Sequence, residues 1–203
     1  MSFYRERVLP HLIDLTMKHA DFEPYRRRVT GAAHGRVLEI GVGSGMNLRL
    51  YRSATHVVGV DPSTRLLSMA RAAAGDRSHP IELVGGTAEA IPLPDRSVDT
   101  VVSTWTLCSV PDLPKALGEV RRVLKPGGRF VFAEHGLAPE PNVVRWQHRL
   151  TPLWKGIAGG CHLNRPIDRM ISSAGFRLTR LETGYMKGPR PITFMYEGEA
   201  HPL

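Results

Sequence analysis

Two stretches decide the fold of this chain: VLEIGVGSG at residues 37–45 and VVGVD at residues 57–61. Each begins as an apolar run of the kind that forms a buried strand of a parallel sheet. The first ends in three alternating glycines, and the second ends in the carboxylate of Asp61. Glycine lets backbone approach a ligand without a Cβ in the way, and an acid after the second strand can accept hydrogen bonds from both hydroxyls of a ribose. The pattern predicts a pocket for a nucleoside-bearing cofactor.

The glycine spacing separates two kinds of nucleoside cofactor. Dinucleotide-binding folds use G-x-G-x-x-G, which presents the pyrophosphate to a helix N-terminus. Here the glycines are Gly41, Gly43 and Gly45, so the third falls one position early, and Glu39 stands two residues before the first. This arrangement resembles motif I of the Rossmann-like methyltransferases that use S-adenosylmethionine (SAM). The spacing disfavours an NAD-dependent reductase.

Composition bounds the class of protein. The chain has 203 residues, of which 42% are hydrophobic and 23% charged, and this suits a single α/β domain over residues 1–203. No apolar run reaches the roughly 20 residues of a membrane span, and the first residues do not resemble a signal peptide, so a cytoplasmic location is expected. The two cysteines, Cys108 and Cys161, are 53 residues apart. Because neither they nor the histidines show ligand spacing, no metal site is predicted.

The chain is basic, with a formal charge of +8, and this favours anionic partners. Its densest basic cluster, RRR at residues 26–28, is too short to indicate a nucleic-acid tract. The preferred interpretation is a solvated basic surface. No nucleic-acid partner is expected, peripheral contact with an anionic membrane stays open, and the oligomeric state is undetermined.

Apolar periodicity predicts the order of elements. Strands are expected near residues 36–40, 56–60, 81–84, 97–103, 129–133, 177–183 and 192–197. Helices are expected within residues 1–30, which we interpret as a helical N-terminal lid, and near 45–53, 61–74, 113–124, 143–150 and 165–174. The order predicts an α/β fold: a doubly wound, mostly parallel seven-stranded sheet with helices on both faces and a C-terminal antiparallel strand pair. A cofactor then sits beyond the carboxyl ends of the strands.

Two downstream segments extend the resemblance to SAM methyltransferases. GTAEAIPLPDRSVD at residues 86–99 is similar to the family's G-D-A-E-x-L-P-F-x-D-x-S-F-D segment, which wraps the adenine, and EVRRVLKPGGRF at residues 119–130 is similar to its E-x-x-R-V-L-K-P-G-G-x-F segment. With motif I, the resemblance covers about half of the chain. The chain is identified as a member of the class I (Rossmann-like) SAM-dependent methyltransferase superfamily. That implies SAM as cofactor and S-adenosylhomocysteine as product.

The resemblance also implies which residues bind the cofactor. They belong to the glycine loop, the acid-tipped strand, the adenine loop and the end of strand four: Glu39, Gly41, Gly43, Gly45, Asn47, Asp61, Pro62, Thr87, Ala88, Glu89 and Thr104. In the family an acid stands where this chain has Thr87. A hydroxyl still accepts a hydrogen bond but lacks charge assistance. We therefore expect a weaker adenine contact, with Glu82 and Glu89 as candidate substitutes for the acid.

Four short matches resemble the small methyltransferase-like thiol S-methyltransferases. They are G-x-N-x-x-x-Y ending at Tyr51, LCSV at residues 107–110, EH at 134–135, and WQ at 146–147 followed by GCHLNR at 160–165. The resemblance implies methylation of a small-molecule acceptor at sulfur. Eukaryotic members of that family begin with an apolar membrane anchor, which the first residues here do not resemble, so membrane residence is not carried over.

Methyl transfer from SAM is an in-line displacement, so the protein mainly aligns the nucleophile. A thiol with a pKa of about 8.5 is already a few per cent thiolate near neutrality and needs little help from a base. His135, after strand five, is the candidate catalytic base or orienting group. His162, beside Cys161, is a second candidate, and a structural histidine is the alternative for both. Trp105 and Trp146 are candidates to wall the acceptor pocket.

The sequence is also compatible with other functions. Within methyltransferases, quinone- or phenol-like rings and phospholipid head groups are alternative acceptors. A nucleic-acid methyltransferase is less favoured, because STWT at residues 103–106 stands where amino-methylating enzymes carry [DNS]-P-P-[YFW] and no base-flipping apparatus is recognisable. A non-catalytic SAM-binding subunit has only Thr87 in its favour.

Overall fold

The computed structural model describes residues 7–75 and 79–203. Its sheet has seven strands: β1 (His34–Ile40), β2 (Ser53–Asp61), β3 (Ile81–Gly85), β4 (Val98–Thr104), β5 (Leu124–His135), β6 (Phe176–Tyr185) and β7 (Phe194–Pro202). They lie in the order β3-β2-β1-β4-β5-β7-β6. Neighbours among β1 to β5 pair in parallel, whereas β7 pairs antiparallel with both β5 and β6. The predicted mostly parallel sheet with a C-terminal antiparallel pair is confirmed, and its order reverses between β1 and β4, where such folds bind ligands.

Six α-helices accompany the sheet in the described ranges: α1 (Leu9–Met17), α2 (Glu23–Ala32), α3 (Thr64–Ala74), α4 (Leu113–Val123), α5 (Pro141–Ile157) and α6 (Ile167–Ser173). Two of them begin at side-chain caps, since Ser63 Oγ accepts from Leu66 N at 3.2 Å and the Asp112 carboxylate accepts from Lys115 N at 3.1 Å. Such caps satisfy amides that the first helical turn leaves unpaired. The lid predicted for residues 1–30 begins with six residues that lie outside the described part. None of the described helices is both long enough and apolar enough to cross a membrane.

The core consists of two buried clusters, and neighbouring residues of β1 belong to different clusters. Leu38 of β1 lies in a buried cluster with Leu117 of α4. Its neighbour Val37 lies in a second cluster, with Val29 of α2 and Leu67 of α3. Successive strand residues point to opposite faces, so β1 is apolar on both. This explains why its sequence is a continuous apolar run rather than an alternating one.

The helix predicted at residues 45–53 is wrong. In the structure this segment forms turns, and the N–H groups of Leu48 and Leu50 donate to carbonyls three residues earlier, at 3.1 and 2.8 Å. Asn47 and Tyr51 both bond to the buried carboxylate of Glu39. These side-chain bonds compete with a regular helix and wrap the segment around that carboxylate.

Two further boundaries differ from the predictions. The turn predicted at residues 126–128 lies inside β5, where the pairing with β4 shifts between Val98 and Thr100 and Gly127 has a φ of 76°. Helix α5 continues past its predicted end at residue 150, through Pro152, to Ile157. The buried residues of α5, Val143, Gln147 and Thr151, recur every four residues up to the proline, and the turn beyond it is largely exposed.

Candidate active site

The glycine loop follows β1 at the carboxyl edge of the sheet. Gly41, Gly43 and Gly45 have φ angles of 66°, 56° and 83°, which side chains rarely tolerate. A Cβ on Gly41 would lie 2.1 Å from Thr106 Oγ1, and one on Gly45 would lie 2.9 Å from Leu48 Cδ1. A Cβ on Gly43 would meet no heavy atom nearer than 3.9 Å. The outer glycines therefore let the loop pack, and Gly43 leaves an open face that a ligand can approach, which fits a nucleoside cofactor.

Asp61, the last residue of β2, fixes the shape of this loop. It is 5% exposed, and its Oδ2 accepts from Gly43 N at 3.0 Å while its Oδ1 accepts from Ser63 N at 2.8 Å. Burial raises the pKa of Asp61, and the two amide donors oppose that rise. The carboxylate thus joins the glycine loop to the start of α3, and Pro62 beside it is exposed.

Glu39 lies beneath the loop and is 1% exposed. Its Oε1 accepts from Asn47 Nδ2 at 2.8 Å and its Oε2 accepts from the Tyr51 hydroxyl at 2.8 Å. Asn47 Nδ2 also donates to Thr104 Oγ1 at 3.0 Å. Burial raises the pKa of Glu39 to about 7 despite these donors. The predicted site residues Glu39, Asn47 and Thr104 are therefore brought together as one buried cluster that supports the loop.

Arg26 completes this support cluster from α2. Its Nη1 donates to Asn47 Oδ1 at 3.1 Å, its Nη2 donates to the Met17 carbonyl at 3.1 Å, and the residue is 6% exposed. We define Arg26, Glu39, Asn47, Tyr51 and Thr104 as the loop-support cluster. Arg26 is not among the predicted site residues, because the charged run at residues 26–28 indicates a solvated surface for all three arginines.

The other two arginines of that run are also paired with acids. Arg28 donates three hydrogen bonds of 2.7 to 3.0 Å to the carboxylate of Glu197, whose side chain is 3% exposed. Arg27 pairs with Glu23 at 2.5 Å on the surface. A helix turns about 100° per residue, so three consecutive arginines point in three directions. The run is therefore not a patch of free positive charge.

Residues 86–99, predicted to wrap the adenine and called the adenine loop below, begin beside Asp61. Gly86 N donates to the Asp61 carbonyl at 3.3 Å, and the next residue, Thr87, is exposed. Ala88 is buried, and Glu89 accepts from Asp112 N at 3.2 Å. The structure thus brings the glycine loop, Asp61 and the adenine loop to one edge of the sheet. Glu82 lies on the edge strand β3, where its carboxylate is 3.8 Å from His56.

Trp105 follows β4 with an unusual backbone. Its φ is 50°, the left-handed region, which is strained for a bulky residue. Its ring makes edge contacts with Phe22 and Tyr25, at centroid distances of 4.8 and 6.0 Å, and the Arg26 guanidinium lies 5.1 Å from its centre. Trp105 therefore holds the N-terminal segment against the carboxyl edge. Trp146, on α5, is 54% exposed.

Cys108, His135 and Cys161 meet at the end of β5, and we define them as the thiol–imidazole cluster. Their sulfur and nitrogen atoms all lie within 4.8 Å of one another, and Cys161 Sγ is 3.6 Å from His135 Nδ1. Cys108 and His135 are 3% and 6% exposed. A hydrogen bond to Cys161, together with burial, raises the pKa of Cys108 well above its usual value, and the same bond lowers the pKa of Cys161.

Neighbouring residues hold the backbone around this cluster. The backbone N–H of His162 donates to the Cys108 carbonyl at 2.8 Å, and its ring Nδ1 lies 3.1 Å from the same oxygen. The Arg165 guanidinium donates to the Leu107 carbonyl. Glu134, wholly buried, accepts from Ser103 Oγ at 2.6 Å and from Thr106 N at 3.1 Å, and burial raises its pKa to about 7. His162 thus bonds to backbone, as the structural alternative for it supposed.

Comparison with known proteins agrees with this geometry. Residues 38–132 match a family model described as a methyltransferase domain. A solved SAM-dependent methyltransferase from Thermotoga maritima has a similar fold, with a TM-score of 0.69 and 22% identity, over 97% of this chain and 96% of that one. The chain therefore carries a methyltransferase domain and has the Rossmann-like fold of the solved SAM-dependent methyltransferases.

Curated relatives place the chain more narrowly. Thiol S-methyltransferase TMT1B from Rattus norvegicus is 39% identical over 150 residues, which are 72% of this chain and 62% of the relative. TMT1B from Homo sapiens is 35% identical over 176 residues, 84% and 70% of the two chains. A phosphatidylethanolamine N-methyltransferase from Cereibacter sphaeroides is 34% identical over 128 residues, 61% and 63%. The chain spans only 62 to 70% of the length of these relatives. It belongs to the methyltransferase family that includes the TMT1 thiol S-methyltransferases.

Proposed function

We propose that this protein binds SAM at the carboxyl edge of its sheet and transfers the methyl group to the sulfur of a small thiol. Membership of the family that includes the TMT1 enzymes is the observation that carries the choice of a thiol. The open face of Gly43, whose N–H is bonded to the Asp61 carboxylate, supports the cofactor position. Binding SAM supplies a methyl group on a sulfonium, which is an excellent leaving group, so the remaining task is alignment.

Specific residues are assigned to the cofactor under this proposal. The Asp61 carboxylate, whose two oxygens each keep a further lone pair, accepts from the ribose hydroxyls. The exposed hydroxyl of Thr87 accepts from the adenine amino group, with Pro62, Ala88 and Glu89 beside the ring. The loop-support cluster holds the glycine loop from below, so Glu39, Asn47 and Thr104 are positioning residues.

His135 is the residue we assign to the acceptor. It ends β5 on the ligand edge, and within the described residues its buried Nε2 atom has no hydrogen-bond partner. A buried unpaired ring nitrogen is costly unless a ligand engages it. An acceptor S–H or a proton in transit is a suitable partner. We also infer that helices cover both faces of the sheet, because neighbouring β1 residues pack with different helices, and that residues 1–30 act as a lid within one 1–203 domain.

A substrate panel tests the choice of acceptor. Purified protein with SAM is offered a small alkyl thiol, a phenol, a quinol and phosphatidylethanolamine, and S-adenosylhomocysteine is quantified. We expect turnover with the thiol. Robust methylation of the quinol or the lipid, with none of the thiol, would refute thiol methylation while leaving methyl transfer intact.

The same panel tests His135. His135→Ala should lower thiol turnover at least tenfold, and His148→Ala, an exposed histidine of α5, is the matched control. A rate and pH profile unchanged in His135→Ala would remove this residue from the mechanism.

One surface feature favours the membrane contact that the sequence left open, in what is otherwise expected to be a cytoplasmic protein. Trp146, Leu153 and Ile157 of α5 are 54%, 69% and 52% exposed, and Leu12 and Leu15 of α1 are 46% and 71% exposed. The two helices lie close together: a Cβ added at Gly159, two residues after α5, would lie 3.5 Å from Leu9 of α1. Exposed apolar groups among basic residues are typical of an interfacial surface.

We propose that the exposed apolar face of α1 and α5 binds the surface of an anionic membrane, where the enzyme would encounter thiols dissolved in the lipid. Vesicles of phosphatidylcholine and phosphatidylglycerol should co-sediment the protein, more strongly at low salt. Leu153→Ser should lower the bound fraction severalfold, whereas Leu181→Ser, on β6 and 39% exposed, should not. Equal binding by all three proteins would contradict the proposal.

A further inference from the structure

The thiol–imidazole cluster contains two thiols and one imidazole, a combination typical of metal sites. Cys108 and Cys161 are 53 residues apart, yet the fold brings both sulfurs to the imidazole at the end of β5. Two thiols and one imidazole are the ligand set of a borderline-soft cation, and Cys₂His is a known set for zinc sites that keep one position open. The sequence predicts no metal because the cysteines do not form a C-x-x-C pair and the histidines show no ligand spacing.

The distances fit a tetrahedral ion. Zinc lies about 2.3 Å from sulfur and about 2.0 Å from nitrogen, so at a tetrahedral angle the two ligand atoms stand about 3.5 Å apart. Cys161 Sγ and His135 Nδ1 are 3.6 Å apart. All three ligand atoms lie within 4.8 Å of one another. The Cys108 sulfur therefore needs to move by only about 1 Å or less to bind the same ion.

Charge and surroundings also suit a divalent cation. Two thiolates neutralise Zn²⁺, so a loaded site carries no net charge into a buried place. The residues around the ligands fix their orientation, as outer groups of metal sites do. His162 bonds to the carbonyl of Cys108, and the Arg165 guanidinium donates to the carbonyl of the preceding residue, Leu107.

We propose that Cys108, His135 and Cys161 bind one Zn²⁺ ion, and that its fourth position takes the acceptor thiol as a thiolate. The second clause rests on the proposed function. On coordination the acceptor S–H bond breaks and its proton leaves to solvent. The sulfur lone pair then forms the new S–CH₃ bond as the methyl–sulfonium bond breaks, which leaves a thioether and S-adenosylhomocysteine. His135 is then a ligand through Nδ1, and the role of base falls away because a metal-bound thiol is already deprotonated.

The metal site is tested without methyl transfer. Reduced wild-type protein is loaded with Zn²⁺ alone and analysed for metal content, and Co²⁺ alone is used to observe thiolate-to-cobalt charge-transfer absorption. We expect one ion per chain. Cys161→Ser and His135→Ala should weaken Zn²⁺ binding at least about 100-fold, whereas His148→Ala should bind as wild type.

A measurement on the wild type guards against misfolded variants. Alkylation of Cys161 should slow at least tenfold with Zn²⁺ and recover with a chelator. Absence of bound metal, or a Cys108–Cys161 disulfide that persists in reductant, would overturn the site.

The fourth position is tested with the Co²⁺ protein. Adding a small thiol should shift the visible cobalt absorption, and the matching alcohol should not. No bound metal with intact thiol turnover would refute this inference and leave the proposed function standing. Bound metal that ignores thiols, with turnover of quinol alone, would refute the proposed function and the fourth-position assignment, and would leave the ion site.

Discussion

The Arg26 guanidinium donates to the side-chain carbonyl of Asn47 at 3.1 Å, across 21 residues of chain. This bond ties α2 to the turn that follows the glycine loop. Arg26 also binds the Met17 carbonyl and lies over the Trp105 ring. One buried cation therefore couples the N-terminal segment, the glycine loop and the end of β4.

The first prediction concerns this arginine. Arg26→Met should lower the free energy of unfolding by about 2 kcal/mol, because it leaves buried acceptors without a donor. It should also weaken SAM binding severalfold by loosening the glycine loop. Denaturant unfolding and calorimetric titration measure the two effects.

Arg27→Met is the matched control for Arg26→Met. Arg27 is the next residue on the same helix, and its side chain is 57% exposed in a surface pair with Glu23. Such pairs contribute at most about 1 kcal/mol. Equal losses in the two variants would show that Arg26 has no special role.

Asp61 carries the second prediction. Asp61→Ala should weaken SAM binding at least tenfold, about 1.4 kcal/mol, through loss of charge-assisted bonds and of the Gly43 anchor. Glu182→Ala, an exposed acid on the far strand β6, should leave the affinity unchanged. Titration calorimetry that finds wild-type affinity in Asp61→Ala would exclude it from the cofactor site.

Glu39 makes stability depend on pH. Its pKa is raised from 4.5 to about 7 in the folded protein, so between these values the folded state holds a proton that the unfolded state has lost. The stability that this proton contributes is fully present below about pH 4.5 and is lost as the pH rises through about 7. The full effect is about 3 kcal/mol.

Glu39→Gln isolates this term, because an amide keeps the shape and does not titrate. The difference in unfolding free energy between wild type and Glu39→Gln should change by about 2 to 3 kcal/mol from pH 5 to pH 8, with the wild type losing stability. A difference that stays constant over this range would mean that Glu39 is ionised throughout.

Thr87 supplies the fourth prediction. Thr87→Asp restores the acid that the wider family carries and should tighten SAM binding severalfold, because a carboxylate accepts more strongly than a hydroxyl. Thr87→Val, similar in shape, should weaken it. Titrations that rank Thr87→Asp at or below Thr87→Val would place the adenine away from this loop.

The parts of the fold with strong local signals were predictable. The apolar runs of β1 and β2 follow from the burial of both sheet faces, and Ser63 caps α3 where a helix start was predicted. The failed helix at residues 45–53 has a different cause. Its residues satisfy helix periodicity, but Glu39, outside the segment, determines its shape through Asn47 and Tyr51.

The site was predictable only where it is local. The glycines and Asp61 lie within one motif, so their spacing indicates their meeting. Arg26 sits in a charged run that gives no sign of burial, and Cys108 meets Cys161 only after β5 and α5 have been placed. No pattern along the chain encodes contacts that tertiary packing alone creates.

The position of β4 between β1 and β5 has a consequence for how this family diversifies. The glycine loop, Asp61 and the adenine loop belong to the strands on one side of β4, whereas the thiol–imidazole cluster belongs to the loop after β4 and to segments beyond it. Under the proposed function, recognition of the donor and recognition of the acceptor therefore reside in separable parts of the chain. On that basis we expect substitutions after residue 104 to exchange one nucleophile for another while the methyl supply stays constant, so that new specificities evolve without rebuilding the enzyme.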